Sequence, residues 1–273
     1  MPAPRQIVSI VIPVFNEEDG IAQLKQKLLW LNDLLSERFE LELVFVDDGS
    51  RDRTVLVLMD EFKDAGFRYK IVEHNVNRGV GAAFRSGFQQ SIGSIVCTID
   101  ADCSYSPDGL KQLLGALQST RADIAVASPY HPQGGVEGVP AWRLLLSKGC
   151  SLLYRAVSPV KLHTYTSIFR AYRADVVRNV RFDSGGFVSA PEILIAAARR
   201  GYTITEVPMV LRGRAIGRSK MKIARTIGTH LSMLFGFLLP SSKPGVATVA
   251  VMARKELAKA RIARGDGKDP FAA

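Results

Sequence analysis

Residues 94–107 read SIVCTIDADCSYSP. The apolar run through Ile95, Val96 and Ile99 has the character of a buried strand. It ends in two carboxylates, Asp100 and Asp102, with only Ala101 between them. Side chains at i and i+2 of an extended segment point the same way, so this spacing predicts two like charges on one side of a strand end. Such a pair repels unless a cation sits between its members. Carboxylate oxygens suit Mg2+ or Mn2+, which usually keep coordination positions open for substrate phosphates. A bare D-x-D also fits a solvated turn that opens the Asp-Cys-Ser-Tyr-Ser-Pro loop, so context has to decide.

The chain on either side supplies that context. Apolar runs alternate with segments of helical period: IVSIVIPVF before EEDGIAQLKQKLLWLNDLL, LELVFVDD before DRTVLVLMDEF, YKIVEH before VGAAFRSGFQQSI, and SIVCTID before DGLKQLLGALQS, with ADIAVAS following. In the first helix Ile21, Leu24, Leu28 and Leu31 fall on one face. Continuous apolar strands alternating with helices predict an α/β fold, with a mostly parallel sheet covered on both faces. In such sheets ligands bind beyond the carboxyl ends of the strands. The polar clusters sit at those ends: NEED at 16–19, DDGS at 47–50, NRG at 77–79 and DADCSYSP at 100–107. Ser50 is placed to cap the helix that follows. Further on, HPQGGVEGVP (131–140) reads as a loop and AWRLLLSKGCSLLYRAV as a helix carrying basic residues. SIFRAYR then reads as a strand, SAPEILIAAARRG as a helix and YTITEVPMVL as another strand.

With 273 residues, 47% hydrophobic and 23% charged, the chain has an ordinary globular composition. The start, MPAPRQIVSIVIP, enters a strand-like run without the pattern of a secretory leader. No apolar run reaches the ~18–20 residues that span a bilayer; LSMLFGFLLP at 231–240 is too short. Cys97, Cys103 and Cys150 form no CxxC pair, which suits a reducing compartment. The net charge of +10 favours anionic partners. Its distribution says more, because no acidic residue occurs from Val207 to Lys255, while LRGRAIGRSKMKIAR fills 211–225. The glycine-containing first half of that run suits a loop closing over an anion, and the second half borders an apolar segment resembling an interfacial anchor. The basic residues are not interleaved with stacking aromatics, so nucleic acid is not expected as a partner. The histidines His74, His131, His163 and His230 lack metal-ligand spacing and read as structural. GVGAAFRSG lacks the third glycine of a dinucleotide fingerprint, and VFNEE is not the glycine-rich loop of a nucleotidyltransferase.

In their order, VIPVFNEE, VDDGSRDRT, NRGVGAAFRSGF, DADCSYSP, GGVEG, FRAYR and GYTITEVPMVLRGRAIGRSKM resemble the inverting family 2 glycosyltransferases of the GT-A fold. The closer resemblance is to their polyprenyl-phosphate (dolichol-phosphate) mannosyltransferase branch, from about Val8 to about Phe237. It implies a Rossmann-like nucleotide-binding half, 1–128, and a smaller acceptor half, 129–240, within one domain. A basic amphipathic tail, 241–273, is expected to be partly disordered. By this resemblance Pro13, Val14, Asn16 and Glu17 line the donor nucleotide pocket, with Asp47 and Asp48 beside them. Asp100 and Asp102 hold the metal on the sugar-nucleotide diphosphate, with Ser104 as third contact, and Asp102 is catalytic. Arg212 and Lys220 grip phosphate oxygens. Arg143, Ser147 and Lys148 in WRLLLSKG bind the acceptor phosphate. A lipid phosphate is already an anion and needs no strong base, whereas a hydroxyl acceptor needs one. Glu192 stands at the family's glutamate position for that role, although a helix-start acid favoured by the macrodipole explains it as well.

This chain departs from the branch at Thr164, where an aspartate is usual, at Ile168 for a glycine, at Pro129 for an arginine, and at Ser104 for an acid or amide. The expected activity is a metal-dependent (Mg2+ or Mn2+) inverting transfer of a mannose- or glucose-type hexose from a nucleotide-diphosphate sugar to polyprenyl phosphate. The expected location is cytoplasmic, peripheral to a membrane surface. A hydroxyl acceptor and a catalytically silent sugar-nucleotide-binding protein stand as alternatives, and a homodimer is left open.

Overall fold

The structure, a computed structural model, describes residues 5–213 and 228–234. The expectations for Lys220, the basic run after Gly213, most of the 231–240 segment and the tail fall outside these residues.

In chain order the elements are β1 (Gln6–Val14), a 3-10 turn (Glu18–Gly20), α1 (Ile21–Leu35), β2 (Phe39–Asp47), α2 (Thr54–Phe62), β3 (Arg68–Glu73), α3 (Val80–Gln90), β4 (Ile95–Thr98) and α4 (Gly109–Ser119). There follow β5 (Ile124–Ser128), β6 (Gly135–Glu137), α5 (Ala141–Val157), β7 (Arg170–Arg173), α6 (Ala174–Asn179), α7 (Ser189–Arg199), β8 (Ile204–Pro208) and β9 (Val210–Arg212). Residues 228–234 are helical.

Among the described residues, seven strands form one sheet in the order β3-β2-β1-β4-β7-β5-β8. Strand β7 runs antiparallel to both of its neighbours, and the other pairings are parallel. The expected mostly parallel sheet is therefore present, but β7, from beyond residue 128, inserts between β4 and β5. The nucleotide and acceptor segments thus share one sheet.

Period-two alternation divides the core between the two faces. From β1 and β2, Val8, Ile10, Ile12, Leu41, Leu43 and Phe45 pack under α1, α2 and α4, while Val11, Val44 and Val46 face α3, α6 and α7. In α1 the buried residues are Ile21, Leu24, Leu28, Leu31 and Leu35, the expected stripe extended by one turn. Each such leucine contributes about 1.5–3 kcal/mol by leaving water.

Two local expectations are corrected. HPQGGVEGVP is not wholly loop, because Gly135–Glu137 pair with Val210–Arg212 in a second, two-stranded parallel sheet. Ser50 does not cap α2; its hydroxyl accepts the Asn16 amide at 2.8 Å, a long-range partner that outcompetes the local one.

Candidate active site

Strands β1, β2 and β3 progress outward in one direction, while β4 lies on the opposite side of β1. The chain therefore reverses its winding between β1 and β4, and at such a switch point the connections diverge and leave a crevice beyond the strand ends. Pairing between β1 and β4 stops at Val11–Thr98, although β1 continues to Val14. The Val11 carbonyl accepts from Ile99 N on the β4 side, and the Val14 carbonyl accepts from Asp48 N on the β2 side. Pro13, in phase with Val11, faces the side where β4 has ended. Its missing N–H therefore costs no ladder bond.

The loops after β1 and β2 knit together beside this crevice. Asn16 N donates to Ser50 Oγ, and Arg51 N donates back to Asn16 Oδ1 at 2.7 Å. Glu17 N donates to Thr54 Oγ1 at 2.8 Å, and Arg53 N to Glu18 Oε2 at 2.9 Å. Asn16 sits at φ 52, a conformation asparagine tolerates better than most residues. Pro13, Val14, Asn16, Glu17, Asp47 and Asp48 thus stand together at the carboxyl ends of β1 and β2. Asp47 is 3% exposed. Its Oδ2 accepts the Ser50 amide at 3.0 Å, whereas its buried Oδ1 has no hydrogen-bond partner among the described residues. Both oxygens of Asp48 are engaged, by Arg78 N at 2.9 Å and Gly79 N at 2.7 Å, with His74 also bonded to Oδ1.

The acidic pair sits in a turn rather than on an extended strand. Strand β4 ends at Thr98, and Cys103 N donates to the Asp100 carbonyl at 3.0 Å. Asp102 Oδ1 accepts both the amide and the hydroxyl of Ser104, at 2.9 and 2.7 Å. Ser104 therefore fixes the carboxylate's orientation. The turn is anchored by the buried Tyr105, stacked on Phe169 at 5.3 Å between ring centroids. Burial, with the charges of Asp102 and Asp100, pushes the Cys103 thiol up to about 11 against an opposing pull from Lys27, so it remains protonated at neutral pH. Among the described residues no group of three or more His, Cys, Asp or Glu side chains is arranged to hold a metal ion. A Mg2+ or Mn2+ held by one or two carboxylates plus substrate phosphates needs no such group, so the donor set fits.

Arg212 lies at the same turn, its amide donating to the Ser104 carbonyl at 2.9 Å. Its exposed guanidinium pairs with Glu137 at 3.1 Å, across the β6–β9 ladder.

On α5, Ser147 Oγ meets Thr166 Oγ1 at 2.8 Å and hydrogen-bonds the Tyr130 phenol, and Lys148 Nζ stands 5.4 Å from the Tyr130 ring. Burial raises the Tyr130 phenol pKa, opposed by the bond to Ser147. Arg143, one turn earlier, lies over the Trp142 ring at 5.9 Å. Tyr130 and Thr166, which the sequence reading did not single out, stand beside the expected acceptor residues Ser147 and Lys148. Thr164 is buried; its amide and hydroxyl meet Glu206 Oε1 and Ser128 Oγ at 3.0 and 2.9 Å. An aspartate there would place a second carboxylate beside Glu206, a repulsion this chain avoids. Glu192, in the first turn of α7, uses both oxygens to hold the amides of Asp183 and Ser184 at 3.0 Å.

Residues 9–181 match the profile of Glycosyl transferase family 2. The polyprenol monophosphomannose synthase of Mycolicibacterium smegmatis is 31% identical over 225 residues, covering 80% of this chain and 82% of that protein. The dolichol-phosphate mannosyltransferase of Pyrococcus furiosus is 31% identical over 232 residues, covering 84% of this chain and 62% of that one. Among solved structures, a glucosyl-3-phosphoglycerate synthase from Mycobacterium tuberculosis, in complex with Mn2+, UDP and glucosyl-3-phosphoglycerate, superposes with a TM-score of 0.61 at 21% identity, covering 87% of this chain and 82% of that one. At that identity the likeness establishes the fold, which is GT-A. The chain belongs to glycosyl transferase family 2 and is a glycosyltransferase.

Proposed function

We propose that the protein transfers a hexose, of mannose or glucose type, from a nucleoside-diphosphate sugar to a polyprenyl phosphate, with inversion, at the cytoplasmic surface of a membrane. The observation that carries this reading is the Oδ1 of Asp47, buried at the carboxyl end of β2 with no hydrogen-bond partner among the described residues. A buried acceptor left unsatisfied costs about 1–3 kcal/mol. A ribose hydroxyl or a base N–H of the donor would satisfy it. Pro13, Val14, Asn16 and Glu17, at the end of the adjacent strand β1, would complete the donor site, and Asp48 shapes the neighbouring loop.

Asp100 and Asp102 would hold Mg2+ or Mn2+, with Ser104 orienting Asp102. When bound, such an ion neutralises charge on a departing diphosphate. The Mycobacterium tuberculosis synthase has been solved with either metal together with UDP. Arg212, whose backbone bonds the Ser104 carbonyl, brings positive charge near the acidic turn; Lys220, outside the described residues, is proposed to act with it. Arg143, Ser147 and Lys148 receive the acceptor phosphate. One of its oxygens attacks the anomeric carbon from the face opposite the diphosphate. The new C–O bond forms as the old one breaks, the electron pair leaves with the diphosphate, and no proton has to move. No base is required, and Glu192 serves by holding the 183–184 backbone.

A lipid acceptor is supported by the outward face of α5. Trp142, Leu145, Leu146, Leu152 and Leu153 are all exposed, with Leu145 at 74% and Leu152 at 69%. They recur at helical spacing, flanked by Arg143, Lys148 and Arg155, with no acidic residue in the helix. An apolar stripe with basic flanks suits the headgroup region of an anionic bilayer. No helix among the described residues is long and apolar enough to cross a membrane. Both curated relatives named above carry a polyprenyl or dolichyl phosphate product or acceptor in their names.

The test supplies radiolabelled GDP-mannose or UDP-glucose with a short polyprenyl phosphate and Mg2+ or Mn2+. Label is expected in the organic phase. Label that stays aqueous with every donor would contradict a lipid acceptor.

A further inference from the structure

We propose that His74 is a positioning residue for the donor nucleotide: it fixes Asp48, and through Asp48 the Arg78–Gly79 backbone beside the crevice. The inference rests on the reading of that crevice as the nucleotide site, and it explains why two adjacent aspartates end β2.

Asp47 and Asp48 divide the work. Asp47 keeps an oxygen without a partner among the described residues, whereas Asp48 spends both of its oxygens inside the protein. Asp48 Oδ1 accepts from Arg78 N and bonds His74 Nδ1 at 2.8 Å, while Oδ2 accepts from Gly79 N. The second ring nitrogen of His74 meets Ser86 Oγ on α3 at 2.9 Å. The His74 amide donates to the Asp47 carbonyl at 2.9 Å. One side chain thus joins the end of β2, the start of the 74–79 loop and the middle of α3. The loop rests directly on the aspartate turn. Gly49 sits at φ +76, and a Cβ there would stand 2.6 Å from Val76 C and 2.7 Å from Asn77 N.

A carboxylate oxygen accepts, so Nδ1 carries a proton and donates to Asp48, while Nε2 bonds the Ser86 hydroxyl. Asp, His and Ser follow one another as in a nucleophilic triad, but Asp48 is 4% exposed and His74 9%. Burial of both suits orientation rather than attack. A carboxylate gripped by two amides and an imidazole has one orientation, and preorganisation of this kind lowers the ordering cost of binding.

The two ring nitrogens can be tested separately. In His74→Asn the amide nitrogen occupies the place of Nδ1, so the Asp48 bond survives and the Ser86 bond is lost. In His74→Gln the amide reaches the place of Nε2, so the Ser86 bond survives and the Asp48 bond is lost. Calorimetric titration of UDP and of GDP, each with Mn2+, should show H74Q weakening Kd about tenfold or more, the factor carried by a hydrogen bond to a charged group. H74N should stay within about threefold of wild type, less than one such bond. Thermal melts run alongside, because a merely structural role would lower both variants alike without splitting their affinities. Equal Kd values for H74N and H74Q would overturn the proposal. If wild type binds neither nucleotide, the donor-site reading fails first and this inference with it. Should both His74 variants fail to fold, Ser86→Ala decides: it leaves the Asp48 bond intact, so a change within about threefold supports the proposal and a tenfold loss overturns it.

Discussion

Asp102 joins a local duty to the chemical one proposed for it. Its Oδ1 closes a small turn on the amide and hydroxyl of Ser104, which orients the carboxylate. Asparagine would keep an Oδ1 for that turn while removing the charge. Asp102→Asn is therefore expected to retain the wild-type melting temperature while losing metal-dependent nucleotide binding, and turnover should fall by about 100-fold or more. Initial rates with excess Mn2+, beside circular dichroism, check both halves, and unchanged turnover would remove Asp102 from the reaction. The pair Asp100 and Asp102 was legible in the sequence because two acids after an apolar run need no long-range information. The turn they occupy was not, since an extended continuation and a turn share the same local pattern. His74 was read as structural; its bonds to Asp48 and Ser86 were not legible in the sequence, and on them rests the positioning role proposed above.

Among the elements, α1 and α5 contrast. The stripe of α1 repeats within one helix and is met by the sheet, so sequence and structure coincide from Ile21 to Leu31. On α5 a comparable stripe faces outward, a feature visible only once the fold places the helix. Replacing Leu145 and Leu152 together with Gln should leave stability nearly unchanged, since neither is packed. Sedimentation with vesicles containing anionic lipid should fall about tenfold or more, given the transfer free energy of two leucines, while nucleotide affinity holds. Undiminished vesicle binding would move the membrane contact elsewhere. Strand β6 escaped the sequence reading because its partner begins far along the chain; the Arg212–Glu137 contact spans 75 positions. Helix α3 depends on close approach instead. A Cβ at Gly81 would lie 2.1 Å from the Ser184 carbonyl and 2.7 Å from Ser189 Cβ. Gly81→Ala should therefore destabilise by roughly 1–3 kcal/mol despite its better helix propensity, which urea melts would register as a lower midpoint.

Across the whole molecule, the strand order creates the site. A crevice opens where β1 and β4 part, and the loops that follow β1, β2 and β4 deliver Asn16, Asp47 and Asp102 to one end of the sheet. Alternating strands and helices made that end legible before any coordinates, because a parallel sheet gathers its carboxyl-end loops. The insertion of β7 between β4 and β5 was not legible, since antiparallel entry depends on the path of the whole 129–169 segment. The net charge of +10 accords with a molecule whose proposed ligands, a nucleoside diphosphate, a lipid phosphate and an anionic surface, are all negative. The most direct test of the central claim is anomalous diffraction from crystals soaked with sugar nucleotide and Mn2+. A manganese peak bridging the diphosphate and the carboxylates of Asp100 and Asp102, with the nucleoside against Asp47, is the result this account predicts; nucleotide bound elsewhere with no manganese at that turn would contradict it.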